Sequence, residues 1–130
     1  MTTVVDASVV VAALVDDGPD GRWSEAVLLG GGLLAPHLMP VEVANVLRRA
    51  VLARKLSAAV ASLAHDDLLA LTVGFVPYHA LARRVWELRG NATCYDGWYV
   101  ALAESLDAPL ATLDRRLAAT PTARCAFLTP

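Results

Sequence analysis

Short apolar runs rich in β-forming residues alternate along this chain with longer segments of helical character. The strand-like runs cover residues 3–5, 33–35, 72–76, 109–113 and, at the end, 126–128. Strands that alternate with helices predict a parallel sheet covered by helices on both faces, and such sheets bind ligands at the carboxyl ends of their strands. The expected fold is therefore α/β, with any site at that edge of the sheet.

The predicted helices are separated by clear stop and start signals. Ser8 is a plausible N-cap for residues 9–15, Gly30, Gly31 and Gly32 end a second helix, and Ser57 caps a fourth. The helices are expected over residues 9–15, 22–29, 40–55, 57–71, 78–89 and 94–106. The third and fourth are joined by a short loop and should form a helical hairpin.

Length and composition predict one domain spanning residues 1–130, with 56% hydrophobic and 18% charged residues. Charges interrupt every apolar run before the roughly 18 residues that a membrane span requires, and no secretory signal precedes the first strand. A cytoplasmic protein is expected. The net charge is −2 and the pI about 5.8, so a polyanionic ligand needs local help from a metal or from paired arginines. Cys94 and Cys125 lack the spacing of a zinc or redox site.

Two acids directly follow strand-like runs. Asp6 ends the first and Asp114 the fourth, so both are expected at the ligand-binding edge. Glu42 opens a predicted helix, and Asp96 shares a helical face with Tyr99, Val100, Ala103 and Leu106, which points its carboxylate inward. Clustered acids at the rim of a core repel one another and persist mainly if a cation compensates them. Mg²⁺ or Mn²⁺, which prefer oxygen ligands, are the candidates.

Each acid alone also has a structural alternative. Asp6 and Asp114 suit helix caps, Glu42 suits the first turn of a helix, and Asp96 suits a buried acid satisfied by Asn91, Thr93 or a backbone amide. The joint interpretation is stronger because all four fall on one edge of one sheet. Eight other acids lie in turns or on polar faces and are expected to be solvated: Asp16, Asp17, Asp20, Asp66, Asp67, Glu87, Glu104 and Asp107.

Four segments, residues 3–9, 35–49, 95–104 and 109–117, carry these acids in order and closely resemble PIN-domain ribonucleases. Within that family, the match is to the VapC-type toxins of bacterial toxin–antitoxin pairs. The resemblance covers nearly the whole chain, although Gly97 stands where alanine is more usual. It implies a three-layer α/β/α domain with a central parallel sheet, Mg²⁺- or Mn²⁺-dependent cleavage of RNA, a VapB-type antitoxin and a homodimer.

The resemblance also implies roles for individual residues. The acidic quartet corresponds to Asp6, Glu42, Asp96 and Asp114, with hydroxyls nearby at Ser8 and Thr112. Asp6 and Asp96 are expected as principal metal ligands, Asp114 as a ligand directly or through water, and Glu42 as a ligand or as the group that orients and deprotonates the attacking water.

Three arginines are candidates to hold the phosphates that flank the cut, with surface ion pairs as the alternative: Arg49, Arg115 and Arg116. Trp86, Trp98 and Tyr99 fit core or dimer packing better than base stacking. A non-catalytic PIN-like RNA-binding or scaffold module remains the alternative function. It would be indicated by the loss of an acid, and all four are present.

Overall fold

A computed structural model describes all residues from Met1 to Pro130 and contains five strands and seven helices. In chain order these elements are β1 (Thr3–Val5), α1 (Ala7–Val15), α2 (Pro19–Leu29), β2 (Leu33–Pro36), α3 (Met39–Leu52), α4 (Ala58–Ala70), β3 (Gly74–Val76), α5 (Ala82–Leu88), α6 (Cys94–Ser105), β4 (Leu110–Ala111), α7 (Arg115–Ala118) and β5 (Phe127–Leu128).

The strands form one parallel sheet in the order β3-β2-β1-β4-β5. The centre is β1, where Val4 and Val5 are fully buried, as the continuous apolar run predicts for a strand covered on both faces. The chain adds β2 and β3 on one side of β1 and β4 and β5 on the other. The order therefore reverses between β1 and β4, where parallel sheets open a crevice at their carboxyl ends.

The helices lie in two layers. Connections between parallel strands are right-handed, so the helices that follow β1 and β2 cover one face and those that follow β3 and β4 cover the other. Accordingly, α1 packs against α2, α3 and α4, whereas α5 packs against α6, and α6 contacts β1, β2 and β4. The predicted three-layer α/β/α fold is confirmed. No helix has the length and apolarity needed to cross a bilayer.

Several predicted boundaries shift for identifiable reasons. The second helix begins three residues before the predicted Arg22 because Pro19 occupies its first turn, where the fixed φ of proline is favourable. The third ends at Leu52, and Arg54 follows with φ 58°, a conformation that cannot continue a helix. The fifth begins only at Ala82, after a turn. Ser57 does cap α4, with its side chain accepting from the Val60 N–H.

Two predictions about individual side chains are wrong. Asp6, and not Ser8, occupies the N-cap position of α1, which begins at Ala7. Leu106 does not belong to the buried face of α6: it follows the last turn of the helix and is 44% exposed. Tyr99, Val100 and Ala103 are buried as expected.

Candidate active site at the carboxyl edge of the sheet

Asp6 is the most deeply placed of the four acids, with 7% of its surface exposed at the end of β1. Its Oδ2 atom accepts two hydrogen bonds, from the Ser8 hydroxyl at 2.7 Å and from the Thr112 hydroxyl at 2.8 Å. Thr112 directly follows β4, so these bonds join the carboxyl ends of the two strands on either side of the reversal point. Local sequence places Asp6 there, and the parallel pairing of β1 with β4 supplies its partners.

The two hydroxyls are themselves held by backbone groups of the loop after β4. The Ser8 Oγ accepts from the Leu113 N–H at 3.1 Å, and the Thr112 Oγ1 accepts from the Asp114 N–H at 2.9 Å. Each hydroxyl therefore donates to Asp6 and accepts from the backbone, which fixes its direction. This geometry gives Ser8 and Thr112 a positioning role toward Asp6, whereas contact with a substrate stays a prediction.

Burial is the main reason that the pKa of the Asp6 carboxyl lies above its ordinary value. The bonds from Ser8 and Thr112 oppose this shift because they favour the charged form, and repulsion from Asp114 adds to it. The carboxylate is thus stabilised by two donors and still destabilised by its surroundings. A nearby positive charge would relieve that cost.

Glu42 lies in the first turn of α3 and is half-buried. Its Oε1 atom accepts a hydrogen bond of 2.7 Å from the Tyr99 hydroxyl on α6. Burial raises the pKa of Glu42, the Tyr99 bond lowers it, and repulsion from Asp6 and Asp96 raises it further. The pKa of Tyr99 is itself raised by its own burial and by Glu42, so the phenol stays protonated and acts as the donor. The bond joins the two helix layers across the carboxyl edge.

Asp96 lies in the first turn of α6, which Thr93 caps by accepting from the Asp96 N–H at 3.1 Å. The predicted partner Thr93 therefore contacts the backbone of Asp96, while the Asp96 carboxylate makes no hydrogen bond to the protein. Burial raises the pKa of Asp96, as does repulsion from Asp6 and Asp114, and the Arg116 guanidinium lowers it. Asp96 is consequently the least tethered acid of the four.

Asp114 serves as the N-cap of α7. Its Oδ1 atom accepts from the N–H groups of Arg116 at 2.9 Å and Leu117 at 3.2 Å. Asp114 is therefore a helix cap, as the structural alternative predicted. Both capping bonds end on Oδ1, so Oδ2 stays free for a second role such as metal binding.

Asp6 and Asp96 each interact electrostatically with the other three acids, so the structure gathers all four around this pair. No group of three or more Asp, Glu, His or Cys side chains converges closely enough to hold a metal ion in this geometry. Glu42 and Asp114 are turned toward Tyr99 and the first turn of α7 instead, as expected when like charges face one another. The donors are all hard oxygens, the type that Mg²⁺ and Mn²⁺ prefer, so their chemistry fits such an ion.

The predicted arginines differ in their positions. Arg116 interacts with Asp96, and a cavity beside the acids is lined by both. Arg115 lines a separate cavity with Asp20 and Leu113. Arg49 is exposed in the last turn of α3, about 10 Å along the axis from Glu42. None of the three arginines forms an ion pair; the two ion pairs in the structure both involve Arg84.

Two features were missed from the sequence. Tyr99 was assigned to packing, although its position three residues after Asp96 puts both on one helical face and could have indicated a polar role.

Glu104 was expected to be solvated, which is wrong: its carboxylate accepts from the Arg84 guanidinium at 2.7 and 3.1 Å and from the Arg124 N–H at 2.7 Å. Arg84 also donates to the Thr122 carbonyl, so this network anchors the segment that leads into β5.

Comparison with known proteins identifies the family of this chain. The family model described as PIN domain matches residues 3–122. The chain belongs to the PIN domain family. Ribonuclease VapC1 of Mycobacterium tuberculosis is 44% identical over 127 residues, a match that covers 93% of this chain and 96% of that protein, which places this PIN-family chain with the VapC proteins.

Solved structures show the same fold. The PAE2754 protein of Pyrobaculum aerophilum superposes with a TM-score of 0.72 at 25% identity, covering 98% of this chain and 90% of that one. VapBC2 from Rickettsia felis, solved bound to a DNA fragment from its promoter, superposes with a TM-score of 0.69 at 12% identity and covers 99% and 98%.

Proposed function

We propose that this protein is a Mg²⁺- or Mn²⁺-dependent endoribonuclease, the toxin of a VapBC-type pair, which cleaves RNA in the cytoplasm and so inhibits translation and growth. Residues 1–130 would form its single PIN domain. The observation that carries the proposal is the set of four acids at the reversal point of the parallel sheet, three of which have pKa values raised by burial and by one another. The 44% identical relative is named as a ribonuclease.

In this proposal Asp6 and Asp96 are the principal metal ligands, and Asp114 contributes directly or through water. A bound divalent ion would neutralise phosphate charge and generate hydroxide from water near neutral pH. Ser8 and Thr112 keep the Asp6 carboxylate aimed across the gap between β1 and β4. Glu42, oriented by Tyr99, either completes the ligand set or accepts the proton of the attacking water.

RNA phosphates need a counter-charge on a chain with a net charge of −2. Arg49 and Arg115 are the proposed contacts for flanking phosphates, and Arg116 places a further positive charge next to Asp96. In-line attack by a metal-activated water would leave a 3′-hydroxyl and a 5′-phosphate.

Purified protein free of antitoxin should cut RNA with Mg²⁺ or Mn²⁺ and stop in excess chelator. Asp96→Asn should remove most of the activity, because it takes a charge from the least tethered acid without changing its size. The matched control is Asp67→Asn, an exposed acid on α4 outside the site. Undiminished cleavage in chelator, or equal activity of the two variants, would contradict the proposed mechanism.

A non-catalytic RNA-binding or scaffold module is the competing function. It would bind RNA in a gel-shift assay and leave the RNA intact with every divalent ion tested. End-mapping of the RNA separates the two, because specific cuts that disappear in Asp96→Asn can come only from this site.

We also propose that a VapB-type antitoxin binds the groove between α3 and α4. The groove is mostly apolar and is lined by Ala44, Leu47, Val51, Leu52, Ala58 and Ala61, with Arg48, Ser62 and His65 at its margins. Leu52 is 67% exposed there. An amphipathic helix of the antitoxin would bury these side chains, since apolar helical faces commonly dock in such grooves.

Expression of the chain alone should arrest growth, and co-expression of the small open reading frame expected just upstream should relieve the arrest. Leu52→Glu should weaken the complex while cleavage by the free protein is unchanged, because Leu52 lies in the last turn of α3, about 15 Å along the axis from Glu42. A harmless, soluble, well-expressed chain would contradict the toxin assignment.

We further propose that the protein is a homodimer, which sedimentation should show. Trp86 is 59% exposed and could pack against the second copy of the chain.

A further inference from the structure

A polar cavity of about 330 Å³ opens directly beside Asp96, between the start of α6 and the end of α7. It is lined by Asn91, Ala92, Thr93, Asp96, Arg116 and Thr120. Its volume is at the small end of the range for ligand pockets, roughly 300–1,000 Å³. A cavity of this size next to a proposed nuclease centre suits a single nucleotide.

The cavity presents hydrogen-bond donors and acceptors together. Arg116 contributes a guanidinium that forms no ion pair. The Asn91 amide nitrogen donates to the Thr122 hydroxyl at 3.3 Å, which leaves its carbonyl oxygen as a free acceptor. The Asp96 carboxylate on the same wall is assigned to the proposed metal site, so the acceptor left for a ligand is that of Asn91.

This combination matches the edge of a base better than a phosphate. A phosphate offers only acceptors and would leave the Asn91 carbonyl oxygen without a donor, whereas the Watson–Crick edge of every base carries both N–H donors and carbonyl or ring-nitrogen acceptors. Such an edge is reachable only in single-stranded RNA, because paired bases in an A-form helix cannot enter a pocket.

Arg115, the residue before Arg116, does not line this cavity. Arg115 follows Asp114 directly but lines a different cavity, together with Asp20 and residues near the C-terminus. None of the four acids borders that second cavity. The consecutive arginines therefore line different cavities, and only the cavity of Arg116 borders one of the four acids, Asp96.

We propose that the cavity seats the base of a nucleotide next to the scissile phosphate and thereby selects the sequence at which single-stranded RNA is cut. Asn91 and Arg116 are its specificity-determining residues. The proposal rests on the proposed ribonuclease function. It adds that one base of the RNA is recognised in the cavity beside Asp96.

The test is cleavage of a randomised single-stranded RNA pool with Mg²⁺, with both sides of every cut sequenced. The parent should show a base preference at one nucleotide next to the cut. Asn91→Ala and Arg116→Gln should relax the preference at that nucleotide alone and lower kcat/KM for the best sequence by roughly ten- to a hundredfold. Both side chains are exposed, so melting temperatures should stay close to that of the parent. Arg83→Gln is the control, since Arg83 is an exposed arginine on α5 outside this cavity.

The outcomes separate the two proposals. If the parent fails to cut RNA with any divalent ion, the ribonuclease function falls and the base pocket falls with it. If the parent cuts RNA but shows no preference next to the cut, or if both variants keep the parental preference, only the base pocket is overturned. A uniform loss across all sequences in Arg116→Gln, with the preference unchanged in Asn91→Ala, would mean that the cavity contacts a phosphate, which also overturns it.

Discussion

Replacing Asp6 by asparagine removes one negative charge from the buried end of β1 while preserving the size of the side chain. The amide oxygen of asparagine can still accept the hydroxyl bonds now made by Ser8 and Thr112. The change therefore isolates charge from packing. It separates an acid kept to bind a cation from an acid kept to hold the fold together.

Without metal, the substitution should be neutral or stabilising. The raised pKa of Asp6 means that the folded protein holds this proton more tightly than the unfolded chain does. Stability is then lost as pH rises from the unfolded pKa through the folded one, and the cost is fully present at higher pH. The uncharged asparagine would carry no such cost. Loss of both hydroxyl bonds, by contrast, would cost about 1 kcal/mol for each bond.

With metal, the parent should gain much more than the variant. A ligand at about 100 times its Kd stabilises the folded state by about 2.7 kcal/mol, which corresponds to a rise in Tm of roughly 10 °C for a chain of this size. If asparagine weakens binding by about 100-fold, the same concentration only equals the Kd, and the gain falls to about 0.4 kcal/mol.

Thermal melts in chelator and in a titration of Mg²⁺ measure both quantities, with RNA cleavage assayed on the same samples. Asp67→Asn, on the exposed face of α4, should follow the parent in all conditions. The reasoning is refuted if Asp6→Asn melts well below the parent in chelator, gains as much stability from Mg²⁺, and cleaves RNA at the parental rate. Asp6 would then be a structural acid.

Three further substitutions probe the surroundings of the site. Tyr99→Phe removes a bond that lowers the pKa of Glu42, so the acid limb of the pH–rate profile should move to higher pH, and an unmoved or lowered limb would contradict the role of Glu42. Glu104→Gln should cost about 1–2 kcal/mol in urea unfolding near neutral pH. Hydrogen bonds lower the pKa of Glu104 despite its burial, so this stability is present above the unfolded pKa and lost as pH falls through the folded one. Glu87→Gln, with a side chain 57% exposed, is the control and should cost under about 0.5 kcal/mol. Gly97→Ala should raise stability by about 0.5–1 kcal/mol, because its added Cβ would meet Val85 at an ordinary 3.4 Å and alanine favours the helix; a lower Tm would show that α5 and α6 pack too tightly there.

Structural features that depend on residues close together in the sequence could be predicted. The apolar run before Asp6 marks a buried strand, and a carboxylate that directly follows such a strand must lie at its carboxyl end whatever the rest of the fold does. Ser57 was identified as a cap for the same reason, since capping depends on residues a turn apart.

Features that depend on register between distant segments could not be derived from local sequence, although the family resemblance already placed the Ser8 and Thr112 hydroxyls near the acids. Thr112 reaches Asp6 across 106 residues, and Tyr99 reaches Glu42 across 57. Ser8 shows the ambiguity best: a serine between a strand and a helix is a good cap by local rules, yet here the pairing of β1 with β4 draws its hydroxyl to Asp6 and to the backbone of Leu113. Glu104 was misjudged likewise, because its partner Arg84 comes from another helix.

The protein partners of the four carboxylates also rank them as ligands. Asp6 is fixed by two hydroxyls, Glu42 by one phenol and Asp114 by two backbone N–H groups, whereas the Asp96 carboxylate has no protein donor. A carboxylate oxygen that accepts a hydrogen bond from the protein must share or give up that bond when a cation binds, so rearrangement costs least at Asp96. Asp114 can keep both capping bonds on Oδ1 and offer Oδ2 to an ion, directly or through water. In the proposed mechanism the four acids are therefore unequal: Asp6 would supply a fixed point, and Asp96 would supply the movement that draws the set together around an ion.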